Sequence, residues 1–171
     1  MKSLPKRRTV RLQGFDYGSE NTYFVTICAF RQRHLFGEIQ NGIICLNDLG
    51  AATWEEWEKT FRLRPHYISH AFQVMPNHLH GLISITRAPE DIWDNARIAA
   101  FGWSPKDTLA TMIGGYKSTI TSFARNTLGI KAKVWQSRFY DHVVRNQKEF
   151  DKISRYICNN TRNWKDDCFY S

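Results

Sequence analysis

This 171-residue sequence predicts an α+β fold in which an antiparallel sheet is covered by helices. Three observations lead there. Short runs rich in β-branched and aromatic residues are interleaved with longer runs of helical periodicity. Two of the strand-like runs flank Pro76-Asn77, a turn too short for a parallel crossover, so they pair antiparallel. The length suits one domain over residues 1–171, able to bury roughly 70% of the surface its unfolded chain exposes without disulfide or metal staples.

Residues 1–14 form a basic arm. Lys2, Lys6, Arg7, Arg8 and Arg11 cluster there with few apolar anchors. It reads as a solvated tail or as an arm that grips phosphates. Tyr23 to Ala29, Tyr-Phe-Val-Thr-Ile-Cys-Ala, is the first strand. A shorter pair follows, Leu35 to Gln40 and Ile43 to Leu46, and Asn41-Gly42 between them signals a two-residue hairpin turn. Asn47 or Asp48 then caps a helix running to about Phe61, with Leu49, Ala52, Trp57 and Phe61 at roughly helical spacing.

Tyr67 to Met75 is a second core strand and His78 to Thr86 a third. In the third, Leu79, Gly81, Ile83 and Ile85 alternate with His80, Leu82 and Ser84. Residues 87–106 carry two prolines and no sustained period, and read as a loop or insertion. Asp107 is placed to cap the next helix, Thr108 to Leu128, whose stripe is Leu109, Met112, Ile113, Tyr116, Ile120 and Phe123, and Gly129 closes it. Phe139 to Val144 is extended. Asn146 starts the last helix, and Glu149 three places on makes a variant capping box. The order strand, helix, strand, strand, helix, strand, helix matches the ferredoxin-like arrangement: helices on one face of an antiparallel sheet, with a small N-terminal hairpin and a C-terminal helix added.

Composition narrows the function. Hydrophobic residues at 42% and charged residues at 23% are an ordinary soluble balance. No window approaches the roughly 20 apolar residues of a membrane span, and the first residues lack the apolar region of a secretory signal, so no membrane role and a cytoplasmic location are expected. Cys28, Cys45, Cys158 and Cys168 form no C-x-x-C pair and read as reduced packing residues. A net charge of +8 favours a polyanionic partner, because basic side chains displace condensed counterions from phosphates.

Two constellations carry chemistry. In a strand, positions i and i+2 share a face, so His78 and His80 point the same way and can hold one divalent ion. An isolated pair of this kind reads more readily as two hydrogen-bonded histidines on a sheet than as a metal site. On the last helix Tyr156 and Asn160, four apart, share a face bordering the Ile153–Ile157 stripe. Alone, Tyr156 is readable as a packing residue. Together the clusters are more specific. Two imidazoles and the Asn160 amide oxygen leave open positions on an octahedral Mg²⁺ or Mn²⁺ ion, the imidazoles favouring Mn²⁺ on affinity and cellular abundance favouring Mg²⁺. A phenol with a reference pKa of about 10 needs such help to act as a nucleophile.

The sequence resembles the REP-associated tyrosine transposases, a branch of the single-tyrosine HUH transposases. The resemblance is carried by Val74-Met-Pro-Asn-His-Leu-His-Gly81, by Val134-Trp-Gln-Ser-Arg-Phe-Tyr-Asp-His-Val-Val-Arg-Asn146 and by Tyr156-Ile-Cys-Asn-Asn160, with Arg11-Leu-Gln-Gly-Phe-Asp-Tyr17, Tyr23-Phe-Val-Thr-Ile27 and His34-Leu-Phe-Gly37 also similar. It spans nearly the whole chain. It implies His78 and His80 as the HUH pair, Asn160 as third ligand, and Tyr156 as the nucleophile of a 5′-phosphotyrosine intermediate. It also implies cleavage and rejoining of single-stranded DNA that carries hairpins. The wider family usually has Gln in place of Asn160, and Thr161 stands where the branch tends to have Pro. Lys117, Arg138, Arg145 and the arm residues Lys6, Arg7, Arg8 and Arg11 are the DNA-binding candidates. His142 either supports the site or packs, while Trp135, Phe139 and Tyr140 read as core in preference to base-stacking platforms. Two other readings compete: a catalytically silent single-stranded nucleic-acid-binding module of the same fold, and a metallohydrolase using water. The chain is expected to act as a monomer or a homodimer, with Arg162 to Ser171 free to dock on either protomer.

Overall fold

Residues 20–86 and 108–170 are described by the computed structural model. Strand β1 (Asn21–Cys28) leads to a hairpin of β2 (Gly37–Gln40) and β3 (Ile43–Leu46), then helix α1 (Asp48–Arg62), β4 (Tyr67–Val74), β5 (His78–Ile85), α2 (Leu109–Asn126), β6 (Tyr140–Val144) and α3 (Gln147–Asn159). The basic arm with Lys6, Arg7, Arg8 and Arg11, and the segment 87–106, lie outside the described residues.

Local chemistry explains most boundaries. Asn41 and Gly42 both take positive φ, 52° and 76°, as a tight hairpin turn between right-twisted strands requires. Asn47 caps α1 by accepting from the Gly50 amide at 2.9 Å. For α2 the cap is Thr108, reciprocally bonded with Thr111; Asp107, expected there, lies outside the described residues. Asn146 caps α3 through the Glu149 amide at 2.9 Å. The Glu149 carboxylate does not close the expected box on the Asn146 amide: it accepts from the Arg145 amide and from His142, each at 2.8 Å.

The four core strands pair antiparallel in the order β4-β5-β1-β6, the ferredoxin-like order. Alternation gives the sheet two apolar faces. On one, Tyr23, Val25, Ile27, Leu79 and Ile83 pack with Trp57 of α1 and Met112, Ile113, Tyr116 and Ile120 of α2. The Tyr116 hydroxyl ties these helices by donating to the Thr53 carbonyl at 2.7 Å. On the other, Phe24, Ala71, Leu82 and Val144 meet Phe150, Ile153 and Ile157 of α3. The period-2 rule therefore sends His78 and His80, in step with Leu82, to the α3 face.

Two expectations about single residues need correction. All four cysteines are free, but only Cys28 is buried, so packing accounts for that one alone. Trp135 is buried and Phe139 packs against the main core, whereas Tyr140 is 51% exposed, on a strand that ends the sheet among the described residues.

Candidate active site

The site begins as a row of residues across the sheet. His80 in β5 lies opposite Gln73 on one side and Thr26 on the other, and Thr26 in turn lies opposite Tyr140 at the edge. His78, two places before His80, is opposite Cys28. Both imidazoles are buried, with their rings edge to face and their Nε2 atoms converging at 3.0 Å.

Each ring is held by its other nitrogen. His78 Nδ1 is 2.8 Å from Asn77 Oδ1, and His80 Nδ1 is 2.9 Å from Thr26 Oγ1. The Asn77 amide nitrogen donates to the Phe169 carbonyl at 2.8 Å, which fixes its oxygen towards His78. Because that oxygen only accepts, His78 carries its hydrogen on Nδ1 and presents a lone pair at Nε2. Burial pushes the His78 pKa down to about 3, and burial, then the neighbouring His78, holds His80 well below the usual range. Both rings are neutral at pH 7, the form that binds metal.

Helix α3 brings the phenol. Ile157, buried against the sheet, sets the helix on this face, and Tyr156 before it crosses the edge of the site with 42% exposure. Its Oη lies 3.2 Å from His80 Nε2 and donates to Asp167 Oδ2, also at 3.2 Å. Burial, followed by the Asp167 charge, pushes the Tyr156 pKa above its ordinary value. The Asn160 side chain acts in the opposite sense, favouring the phenolate. Asn160 is 1% exposed, and its Nδ2 makes no hydrogen bond of good geometry. A buried amide nitrogen without a partner is costly, and this one lies beside Tyr156 on α3.

The chain then returns over the site. After the 3₁₀ turn Trp164–Asp166, Asp167 points inward, with Oδ2 4.0 Å from His78 Nε2 and Oδ1 accepting from the Phe169 amide at 2.7 Å. The Phe169 ring covers His78 at a centroid distance of 4.5 Å. The segment expected to be free thus docks on the site of its own chain. Asp167, Asn77 and Thr26 were missed by the sequence reading. The one available signal was an acidic pair, Asp166-Asp167, followed by aromatics in a basic chain.

These donors fit a divalent cation. His78, His80 and Asp167 offer three ligand atoms within 4.8 Å of one another, two neutral imidazoles and a carboxylate. Asn160, expected as a further ligand, is buried beside Tyr156.

The DNA-binding candidates are scattered. Lys117 is half-buried and donates to the Gln136 carbonyl at 2.7 Å; burial lowers its pKa. Arg138 and Arg145 are exposed at opposite ends of β6. His142 bonds Glu149 and joins β6 to the start of α3, away from the paired imidazoles. Among the described residues, no helix is long and apolar enough to cross a membrane.

No protein-family model matches the chain. An uncharacterized protein of Haemophilus influenzae (strain ATCC 51907 / DSM 11121 / KW20 / Rd) is 35% identical over 170 residues, spanning 96% of this chain and 93% of that protein. The solved structure of a REP-associated tyrosine transposase bound to a REP hairpin superposes with a TM-score of 0.58 at 19% identity, covering 92% of this chain and 74% of the other. The chain therefore belongs to the family of the Haemophilus influenzae protein, and its fold is that of a REP-associated tyrosine transposase.

Proposed function

We propose that this protein is a metal-dependent transposase that cuts and rejoins single-stranded DNA carrying hairpins, through a covalent 5′-phosphotyrosine on Tyr156. The observation that carries the reading is the meeting of the Tyr156 hydroxyl, 3.2 Å from His80 Nε2, with two neutral imidazoles and a carboxylate in one buried corner. Tyr156, His78, His80 and Asp167 all come from one chain, which supports a monomer acting alone. The REP hairpin held by the structural neighbour supports a hairpin substrate here, as does the net charge of +8.

His78, His80 and Asp167 would hold the cation, with Asn160 completing the set; two nitrogens among oxygens suit Mn²⁺ or Mg²⁺. When bound, it would polarise the scissile phosphoryl group and offset its developing charge. The rest falls to the protein. Asp167 accepts the hydrogen bond of the phenol and is placed to take its proton. The Tyr156 oxygen attacks phosphorus, the bond to the 3′ oxygen breaks, and that oxygen leaves as a hydroxyl, the proton that Asp167 accepted from the phenol being passed to it through solvent. The DNA 5′ end stays esterified to Tyr156, so the phosphodiester is stored. In the reverse sense a 3′-hydroxyl attacks the phosphotyrosine, and the phenol recovers its proton. Thr26 and Asn77 hold the imidazoles in one orientation throughout.

The test is a denaturing gel after incubation of the protein with labelled hairpin DNA bearing single-stranded flanks and Mn²⁺ or Mg²⁺. A shifted protein–DNA band that needs Tyr156, His78 and metal is expected. Cleavage that survives Tyr156→Phe would replace the reading with hydrolysis by water. Hairpin binding with neither adduct nor cleavage would replace it with a silent binding module.

A further inference from the structure

Tyr140 sits at the open end of the row Gln73–His80–Thr26–Tyr140. Its ring is 51% exposed on an edge strand, a poor place for a large aromatic whose only task is to fill a core. One ring, Phe24, separates it from the candidate nucleophile. Phe24 meets Tyr140 at 6.3 Å and Tyr156 at 6.1 Å, edge to face in both cases, and lies 5.2 Å from His80. These edge contacts fix the Tyr140 ring from one side. Two exposed cations, Arg138 and Arg145, flank it along the chain.

An exposed aromatic held beside a phosphodiester site and bordered by cations has the features of a platform for single-stranded nucleic acid. Bases stack on such rings while the cations meet the phosphates. Adjacent strands lie about 4.8 Å apart, so Tyr140 is two strand spacings, roughly 10 Å, from His80. That separation is within the reach of one or two nucleotides of an extended single strand. We propose that Tyr140 is a stacking platform for a nucleobase of the single-stranded DNA flanking the scissile phosphate. The inference rests on the function proposed above and adds to it where the unpaired strand runs: from the Tyr156 edge over Tyr140 towards Arg138, at the near end of β6.

The experiment uses full-length Tyr156→Phe protein, so that the DNA stays intact. The probes are hairpin oligonucleotides with oligo-dT flanks, each carrying one 2-aminopurine, walked position by position through the flank. Binding is expected to quench fluorescence strongly at one or two neighbouring positions. Adding Tyr140→Ala should remove that quenching and weaken binding roughly 5- to 150-fold, while Tyr140→Phe or Tyr140→Trp retains both. On a probe with an abasic site at the quenched position, Tyr140→Ala should cost no further affinity. Binding with quenching unchanged by Tyr140→Ala, or an equal loss on intact and abasic probes, overturns the platform and leaves the transposase reading standing. Failure of the parent protein to bind any hairpin probe removes both together.

Discussion

Replacing Gly81 by alanine tests how the histidine strand is held from behind. Gly81 follows His80 and faces the α1 side of the sheet. A Cβ built there lies 2.4 Å from Trp57 Cη2, 2.7 Å from Cζ2 and 3.2 Å from Val25 Cγ2. Ordinary contact needs 3.4 Å or more, so the indole or the strand must move by about 1 Å. The indole is poorly placed to yield. It is fully buried, stacks on Phe72 at 4.0 Å and 10°, and donates from Nε1 to Ser69 at 2.9 Å. Overpacking of this kind costs roughly 1–3 kcal/mol. Removing glycine's backbone freedom returns roughly 0.4–1 kcal/mol. A net loss of about 1.3 kcal/mol follows, or roughly 3–5 °C in Tm for a chain of this size. Urea unfolding measures it, and a double-mutant cycle assigns the cause: in a Trp57→Leu background the penalty of Gly81→Ala should largely vanish. A Gly81→Ala variant within about 0.5 kcal/mol of the parent, or one equally penalised without the indole, would refute the argument that Trp57 sets this glycine.

Acid should destabilise the fold through its histidines. Burial lowers the folded pKa of His78 from 6.5 to about 3, so the unfolded chain binds the proton more tightly. The contribution is intact above about pH 6.5 and lost as pH falls towards about 3, at up to ~1.4 kcal/mol per pH unit for each such group. Metal-free urea midpoints should fall steeply between about pH 6.5 and about pH 4.5, less so with His78→Phe; a slope indifferent to that substitution speaks against buried neutral His78. Asp167→Asn should reduce Mn²⁺ affinity on the order of tenfold or more in calorimetric titration, and slow single-turnover cleavage. Unchanged affinity would remove Asp167 from the ligand set. Asn77→Ala should free the His78 ring and the Phe169 carbonyl together, costing about 1–3 kcal/mol of stability for the groups left unpaired. Protection of the Phe169 region from hydrogen exchange that is untouched by this change would break the proposed link.

Much of this protein is decided by local rules, and those parts are legible in the sequence. The Asn41-Gly42 turn, the Asn47 and Asn146 caps and the pairing of β4 with β5 across Pro76-Asn77 each depend on a few adjacent residues. The same holds for His78 and His80 on one side of a strand, and for Tyr156 and Asn160 on one side of a helix, since both follow from backbone periodicity. Tertiary structure alone decided what those faces meet. Thr26 and His80 are 54 residues apart in sequence, Tyr156 and His80 76, and Asn77 and Phe169 92. No local preference selects such partners; they meet because the α3 side of the sheet, Ile157 and the returning C-terminal segment bury one another cooperatively. Tyr140 shows the same limit from outside. Its alternation with neighbours marks a strand, but only the position of β6 at the sheet edge leaves the ring in solvent, since exposure depends on what lies beyond the last strand.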